Sequence, residues 1–149
     1  MIVAALTGHE IEEVTITVAA FHATFDEAKL FKMTLPTLAI EAGEQTNLIS
    51  GSLAIVRYLA HEHESLLGKT PFERAQVDMW LQFLRSELQP LQRAVVYQAL
   101  GHVKCDTPEH TYVYGLLKEA LKTPNNYLKG KSYFVGGTLT VVDVFFTLI

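Results

Sequence analysis

The sequence predicts an α+β fold in which a short part that combines strands and helices precedes an all-helical part. Short stretches rich in β-branched residues occur within the first 50 residues, which is typical of strands. From Ser52 onward, apolar residues recur with the helical period of about 3.6 residues. The 149 residues are 49% hydrophobic, which supplies enough apolar side chains for one packed domain or for two small ones.

The first elements are short. The apolar residues 2–6 followed by Gly8 predict a helix end that stops at the glycine. Residues 14–18 are β-branched at every position and therefore predict a strand. Residues 26–31 fit either one helical turn or a loop.

A hairpin and a helix follow. Residues 37–41 predict a second strand and residues 47–49 a third, joined through a turn at residues 43–46. The apolar positions after Ser52 then form one face of a helix that is expected to end before Gly68.

The remaining chain is predicted to be helical. Thr70 and Glu73 form a capping-box pattern around Pro71, and the helix that they begin is expected to stop or kink at Pro90. Helical spacing continues over residues 91–100. A further helix is predicted over residues 113–121 and is expected to be broken by Pro124. A last helix is predicted to begin with the cap pair Thr140 and Asp143.

Charge and cysteine content exclude several classes of protein. Residues 1–50 hold seven acidic and two basic residues, and the net charge of −4 gives no basic surface for a nucleic-acid backbone. The run of Lys118, Lys122, Lys129 and Lys131 is best explained as a solvated face. No apolar run approaches the roughly 20 residues of a membrane helix. A single cysteine, Cys105, excludes an intrachain disulfide, so we expect a reducing, cytoplasmic setting and no membrane.

Residues that could take part in chemistry are few. Pro36 directly precedes the strand that begins at Thr37, and an X-Pro bond in such a place can be cis and leave backbone groups open to an extended ligand. Ser50 and Ser52 flank the start of a helix, where they would either cap it or help to bind an anion. The histidines at positions 61 and 63 point to different sides of a helix, so we expect no metal site.

Three features together carry a resemblance to a known fold family. They are the strand–proline–strand unit, the stretch Ser52-Leu-Ala-Ile-Val-Arg-Tyr-Leu-Ala60, and the pattern Thr140-x-x-Asp143. In these three features the chain resembles the glutathione transferases. The resemblance implies a partial thioredoxin-like half over residues 1–64 and an all-helical half over residues 70–149. The family's first strand and final helices have no full counterpart here, which implies a fold truncated at both ends or a fragment of a longer protein.

Within that superfamily the chain looks most like domains attached to the translation machinery. The stretches that carry this likeness are Gly68-Lys-Thr-Pro71, Ala75-Gln-Val-Asp-Met-Trp-Leu-Gln-Phe83, Glu87-Leu-Gln-Pro90 and Tyr97. They are similar to the N-terminal domain of eukaryotic methionyl-tRNA synthetase, which the resemblance favours as the parent. Similar stretches occur in the glutamyl-tRNA synthetase appendage, in synthetase-complex scaffold proteins and in the gamma subunit of elongation factor one.

The chain departs from the active enzymes of the family in two ways. Those enzymes use a Tyr, Ser or Cys near the end of the first strand to stabilise the glutathione thiolate, and residues 1–49 contain none of the three. The family's acid–Ser pair, which holds the γ-glutamyl group, aligns with Gly51 and Ser52, so the acid is missing. Pro36, Thr37 and Ser52 would then be a vestigial glutathione site. We expect no catalytic residue and no cofactor.

Two functions follow from the resemblance. The first is a non-catalytic interaction module that pairs with another glutathione transferase-like domain, in a homo- or heterodimer, and docks a synthetase or an elongation factor into a larger complex. Contact with tRNA would be indirect. The alternative is an active glutathione transferase that conjugates electrophiles with glutathione.

The interaction module needs a surface, and one helix offers a candidate. Phe72, Met79 and Phe83 form a second apolar stripe, opposite the expected core face of the helix that begins at Pro71. With Arg57 and Tyr58 on the preceding helix, these residues are the predicted partner interface, because aromatics, Met and Arg are enriched at interfaces. The other interpretation is that the helix is enclosed within its own bundle.

Overall fold

The computed structural model describes residues 1–17, 20, 35–43, 45–104 and 106–148. The chain divides into two compact units, Met1–His63 and Glu64–Ile149. The first contains the strands, and the second is helical. None of the described helices is both long enough and apolar enough to cross a bilayer.

The first unit begins with helix α1, Ile2–Thr7, which ends at Gly8 in the left-handed conformation, as predicted. The strand predicted over residues 14–18 is wrong for residues 14–17, which have no regular secondary structure. β-branched residues favour a strand only where a neighbouring strand pairs with it, and the sheet of the described residues consists of the two strands that follow. Val18 and residues 26–31 lie outside the described residues.

Strands β1, Thr37–Ala42, and β2, Gln45–Ser50, form an antiparallel hairpin, which confirms the two predicted strands. The turn is tighter than expected, because Ala42 already pairs with Gln45. Helix α2, Ser52–Leu59, packs on both strands and on α1. The buried apolar residues of this unit come from the two helices and the residue after α2: Val3, Ala4, Leu59 and Ala60.

The helix predicted from Ser52 to Gly68 is interrupted. It ends as α2 at Leu59, and a short helix α3, Glu64–Leu67, follows. The Nδ1 atom of His61 lies 2.8 Å from the carbonyl oxygen of Tyr58, and the His61 amide also donates to this oxygen. Both groups engage a carbonyl that the continuing helix would need, so the helix stops.

The helix predicted to run to Pro90 changes type before the proline. Helix α4, Pro71–Phe83, is followed by a π-helical segment, Leu84–Leu88, and then by helix α5, Gln89–Ala99. Proline cannot donate to the carbonyl four residues earlier, and its ring collides with it. The wider π turn lets the chain stay helical around this position.

Helix α6, Thr107–Tyr127, runs through Pro124, so the predicted break at this proline is wrong. Pro124 lies close to the end of the helix and removes only one intrahelical donor, while its carbonyl still accepts from Leu128 at 2.9 Å. Helix α7, Val141–Phe146, begins after Thr140, as predicted.

The core of the second unit is built around Trp80 on α4. Its ring contacts those of Phe83, Tyr127, Phe134 and Phe146, with centroids 4.6 to 6.1 Å away. Helices α4 and α7 pack together, and α5 packs on α6. The buried apolar residues of this unit are Leu66, Val77, Trp80, Leu81, Leu84, Leu88, Phe134, Val135, Val141, Val142 and Val144.

Candidate functional site

The first candidate site lies where the hairpin meets α2. The Leu35–Pro36 peptide bond is cis. Thr37 and Ser50 face each other across the hairpin, and their hydroxyls are hydrogen-bonded at 2.9 Å. The amide of Gly51 donates to the Pro36 carbonyl at 2.9 Å. These bonds bring the hydroxyl-bearing ends of both strands next to the start of α2.

The start of α2 differs from the expectation that Ser50 or Ser52 caps it. Gly51, with φ of 92°, is the N-cap, and among the described residues no side chain caps the helix. The Ser50 hydroxyl is engaged by Thr37 instead. The first amides of α2 therefore lie beside the hydroxyl groups of Thr37, Ser50 and Ser52, which is a suitable arrangement for a small carboxylate.

Among the residues that the structure describes, this site contains hydrogen-bond donors but no group that would activate a thiol. The Thr7 hydroxyl is buried and lies within hydrogen-bonding distance of the Val3 and Ala4 carbonyls and of His9 Nδ1. Residues 1–49 contain no Tyr, Ser or Cys, and Cys105 lies outside the described residues. The site could hold part of a peptide-like ligand but has no described group that would lower the pKa of a bound thiol.

The residues of the predicted partner interface differ in how far their side chains are exposed. On α2, Arg57 and Tyr58 are exposed, and the Tyr58 ring stacks on His61. On α4, Phe72 is 72% exposed and Met79 is 54% exposed. Phe83 is half-buried, and its ring lies edge-on to Trp80 with centroids 5.7 Å apart, so it belongs to the aromatic cluster.

One line of exposed positions on α4 carries no charge, although Arg74 and Asp78 are exposed elsewhere on the helix. Phe72, Ala75, Met79 and Gln82 are all exposed and follow the spacing i, i+3, i+7 and i+10. We call these four residues the α4 stripe. Ala75 and Gln82 are not among the predicted interface residues because neither is a large apolar residue. The signal that would have found them is a line of uncharged positions on an otherwise polar helix face.

The predicted cap residues form hydrogen bonds at the starts of α4 and α7. The Thr70 hydroxyl accepts from the Glu73 amide at 3.1 Å, and the Glu73 carboxylate accepts from the amides of Lys69 and Thr70 at 2.7 and 3.3 Å. The Asp143 carboxylate accepts from the Thr140 amide and hydroxyl at 2.8 and 2.9 Å. Among the described residues, no group of three or more His, Cys, Asp or Glu side chains could hold a metal ion.

Solved structures identify the fold. A glutathione transferase of Bombyx mori superposes on 98% of this chain and 67% of its own length, with a TM-score of 0.77 at 20% identity. The glutathione transferase URE2P6 of Phanerochaete chrysosporium, solved with oxidized glutathione, gives the same TM-score over 97% of this chain and 68% of its own. The chain has a glutathione transferase-like fold. The predicted fold class is thereby confirmed.

Sequence comparisons find elongation factor 1-gamma proteins among the relatives of the chain. Elongation factor 1-gamma of Trypanosoma cruzi is 32% identical over 112 residues, which is 73% of this chain and 25% of the factor. The Schizosaccharomyces pombe factor is 29% identical over 147 residues, 97% of this chain and 35% of its own length. A glutathione S-transferase-like protein of Fusarium, LUC7, is 28% identical over 146 residues, which is 95% of this chain and 65% of that protein. No family model matches the chain.

The chain is therefore homologous to the glutathione transferase-like domains of elongation factor 1-gamma, as the resemblance to translation-associated domains predicted. It spans between a quarter and about two thirds of the length of these relatives. The methionyl-tRNA synthetase parent that the sequence motifs favour stays a prediction.

Proposed function

We propose that this chain is a non-catalytic docking module that brings a translation factor into a multiprotein complex in the cytoplasm. It would do so by pairing with a second glutathione transferase-like domain. The observation that carries this proposal is the homology to elongation factor 1-gamma, which in the Schizosaccharomyces pombe protein extends over 97% of the chain.

The chemistry of the first unit supports a non-catalytic role. Conjugation to glutathione requires a thiolate, and the family forms it with a hydroxyl or thiol near the end of the first strand. The hydroxyls of Thr37 and Ser50 hydrogen-bond to each other, and the Thr7 hydroxyl is buried in α1. The described residues include no Tyr, Ser or Cys at the position where the family activates the thiol, so only vestigial binding of the γ-glutamyl end is expected.

The α4 stripe supports the docking role. An exposed Phe and an exposed Met on one rigid helix are the residue types that interfaces enrich, while charged residues are depleted there. A second domain of the same fold could present an equivalent uncharged stripe, so that the two stripes would pack without burying an unpaired charge. Arg57 and Tyr58 on α2 provide a further exposed patch on the first unit.

The docking role is tested by the double variant Phe72→Ser, Met79→Glu. We expect the variant to keep its circular dichroism spectrum, because both side chains are exposed. It should lose the partner that the wild-type chain captures from an extract of its own cells. Mass spectrometry should identify that partner as a translation factor or a synthetase, or as a second copy of the chain.

The matched control is Tyr112→Ser, Leu116→Glu, which likewise replaces an aromatic residue with Ser and an apolar one with Glu at exposed positions on α6. This control should retain the partner. Equal capture by both double variants, or a captured protein unrelated to translation, would show that the α4 stripe does not dock a translation factor. Phe83 is left unchanged because its substitution would also disturb the Trp80 cluster.

One observation favours the alternative of an active transferase: the hydroxyls of Thr37, Ser50 and Ser52 lie beside uncapped helix amides. We nevertheless expect no retention on glutathione resin. We also expect turnover of an aryl halide to fall more than tenfold below the ~10 s⁻¹ that is typical of enzymes. A steady-state assay with purified protein measures this, and a turnover number near the typical value would establish the enzyme.

A further inference from the structure

A cavity in the second unit takes no part in the docking surface. It has a volume of about 370 Å³ and lies between Gln76 on α4, Tyr127 at the end of α6 and the loop over residues 131–137. This volume lies within the range of about 300–1,000 Å³ of small-molecule sites. The lining residues are Gln76, Tyr127, Lys131, Ser132, Tyr133, Phe134, Gly136 and Gly137.

Aromatic residues give the cavity a fixed apolar wall. The Tyr127 hydroxyl donates to the Phe134 carbonyl at 3.0 Å, and the two rings are nearly parallel, at 13°. Both rings contact Trp80, whose side chain is buried. Because these rings are held in place by the core, binding of a ligand would carry little entropy cost for ordering them.

Lys131 places a positive charge at the cavity. Its Nζ atom lies 3.4 Å from the centroid of the Tyr127 ring, which is a close cation–π contact. Within the described part of the chain, no carboxylate oxygen forms an ion pair with this ammonium group. The Glu73 carboxylate lies beside Gly136 of the cavity rim, and it accepts from the amides of Lys69 and Thr70.

Two consecutive glycines keep the rim free of side chains. Gly136 and Gly137 both have positive φ, 65° and 67°. A Cβ atom at Gly136 would lie 3.0 Å from a Glu73 carboxylate oxygen, whereas one at Gly137 would meet nothing within 4 Å. The opening next to Gly137 therefore exposes backbone, which can approach a ligand closely.

We propose that this cavity binds a small organic anion with a flat ring. The ligand ring would lie against Tyr133, the lining aromatic residue that is 36% exposed. The anionic group would meet Lys131 Nζ and the Ser132 hydroxyl. A cation held by an aromatic face, a neighbouring hydroxyl and an open backbone rim are the groups that such a ligand requires. Binding here is independent of docking, because the α4 stripe does not contribute to the cavity.

The test is a titration of the ¹⁵N-labelled full chain with phenyl phosphate, followed by NMR. Phenol supplies the same ring without charge, and inorganic phosphate supplies the charge without the ring. We expect saturable shifts at the amides of Lys131, Ser132, Gly136 and Gly137 with phenyl phosphate. Phenol and inorganic phosphate should each bind at least about tenfold more weakly, a difference of about 1.4 kcal/mol.

Variants at two exposed lysines test whether the positive charge that binds phenyl phosphate is that of Lys131. Lys131→Gln should weaken phenyl phosphate binding by about tenfold, and Lys131→Arg, which keeps the charge, should restore most of it. Lys129→Gln removes the same charge two residues away and should leave binding within about twofold of the wild type. Three results would overturn the proposal: no saturable shift up to about 10 mM, shifts that map away from the cavity, or equal weakening by the two Gln variants.

Discussion

Replacing Asp143 with alanine is expected to lower the free energy of unfolding by about 3 kcal/mol. Its carboxylate accepts from the Thr140 amide and hydroxyl and, through its other oxygen, from the Phe134 amide at 3.0 Å. Thr140 is only 1% exposed, so the donors freed by the substitution would be shielded from water. Thermal denaturation should show a Tm lower by about 10 °C, from about 2–4 °C per kcal/mol in a chain of this size.

Asp106→Ala is the matched control, because Asp106 caps α6 from an exposed position with a bond to the Glu109 amide at 2.9 Å. Loss of an ordinary cap costs about 1 kcal/mol. If the two variants lower Tm equally, the bond from Phe134 to Asp143 does not stabilise the fold, and Asp143 is a simple helix cap.

The sequence pattern located Asp143 but not its full role. A Thr followed three residues later by Asp predicts a helix start from local chemistry alone. The bond from the Phe134 amide joins the same carboxylate to a loop nine residues earlier, and no local pattern contains this information. For this reason the cap effect predicted from sequence alone, about 1 kcal/mol, is smaller than the effect expected from the structure.

The prolines also show that local sequence predicts secondary structure only in part. The sequence predicts that Pro90 stops or kinks a helix and that Pro124 breaks one, and the backbone responds to the two prolines differently. Near Pro90 the chain changes to a π-helical turn, whereas α6 continues through Pro124 to Tyr127. Proline chemistry predicts the loss of a hydrogen bond, but packing around the helix decides whether the helix ends.

For the candidate interface, periodicity placed the apolar residues on one face but could not show which of them are exposed. Phe72, Met79 and Phe83 share that face of an ideal helix. In the structure Phe83 lies edge-on to Trp80, whose ring also contacts Tyr127 and Phe134, which are distant in sequence. Residue spacing carries no information on those distant neighbours. The cavity next to Tyr127 also depends on a loop that has no periodic signal.

Leu88→Ala is expected to lower the free energy of unfolding by about 3–4 kcal/mol. Leu88 is 0% exposed and ends the π-helical segment, which packs against α4, α5 and α6. Truncation removes apolar surface and leaves a cavity, and helices on several sides limit the collapse that would fill it. Chemical denaturation followed by the fluorescence of Trp80, the only tryptophan, measures the change.

Leu100→Ala makes the same truncation at a position that is 65% exposed, and it should stay within about 0.5 kcal/mol of the wild type. The difference between the two variants therefore isolates the contribution of burial at the π-helical turn. If Leu88→Ala were as mild as Leu100→Ala, the wide turn before Pro90 would have to repack around the smaller side chain. In that case Leu88 would not fix the junction of α4 with α5.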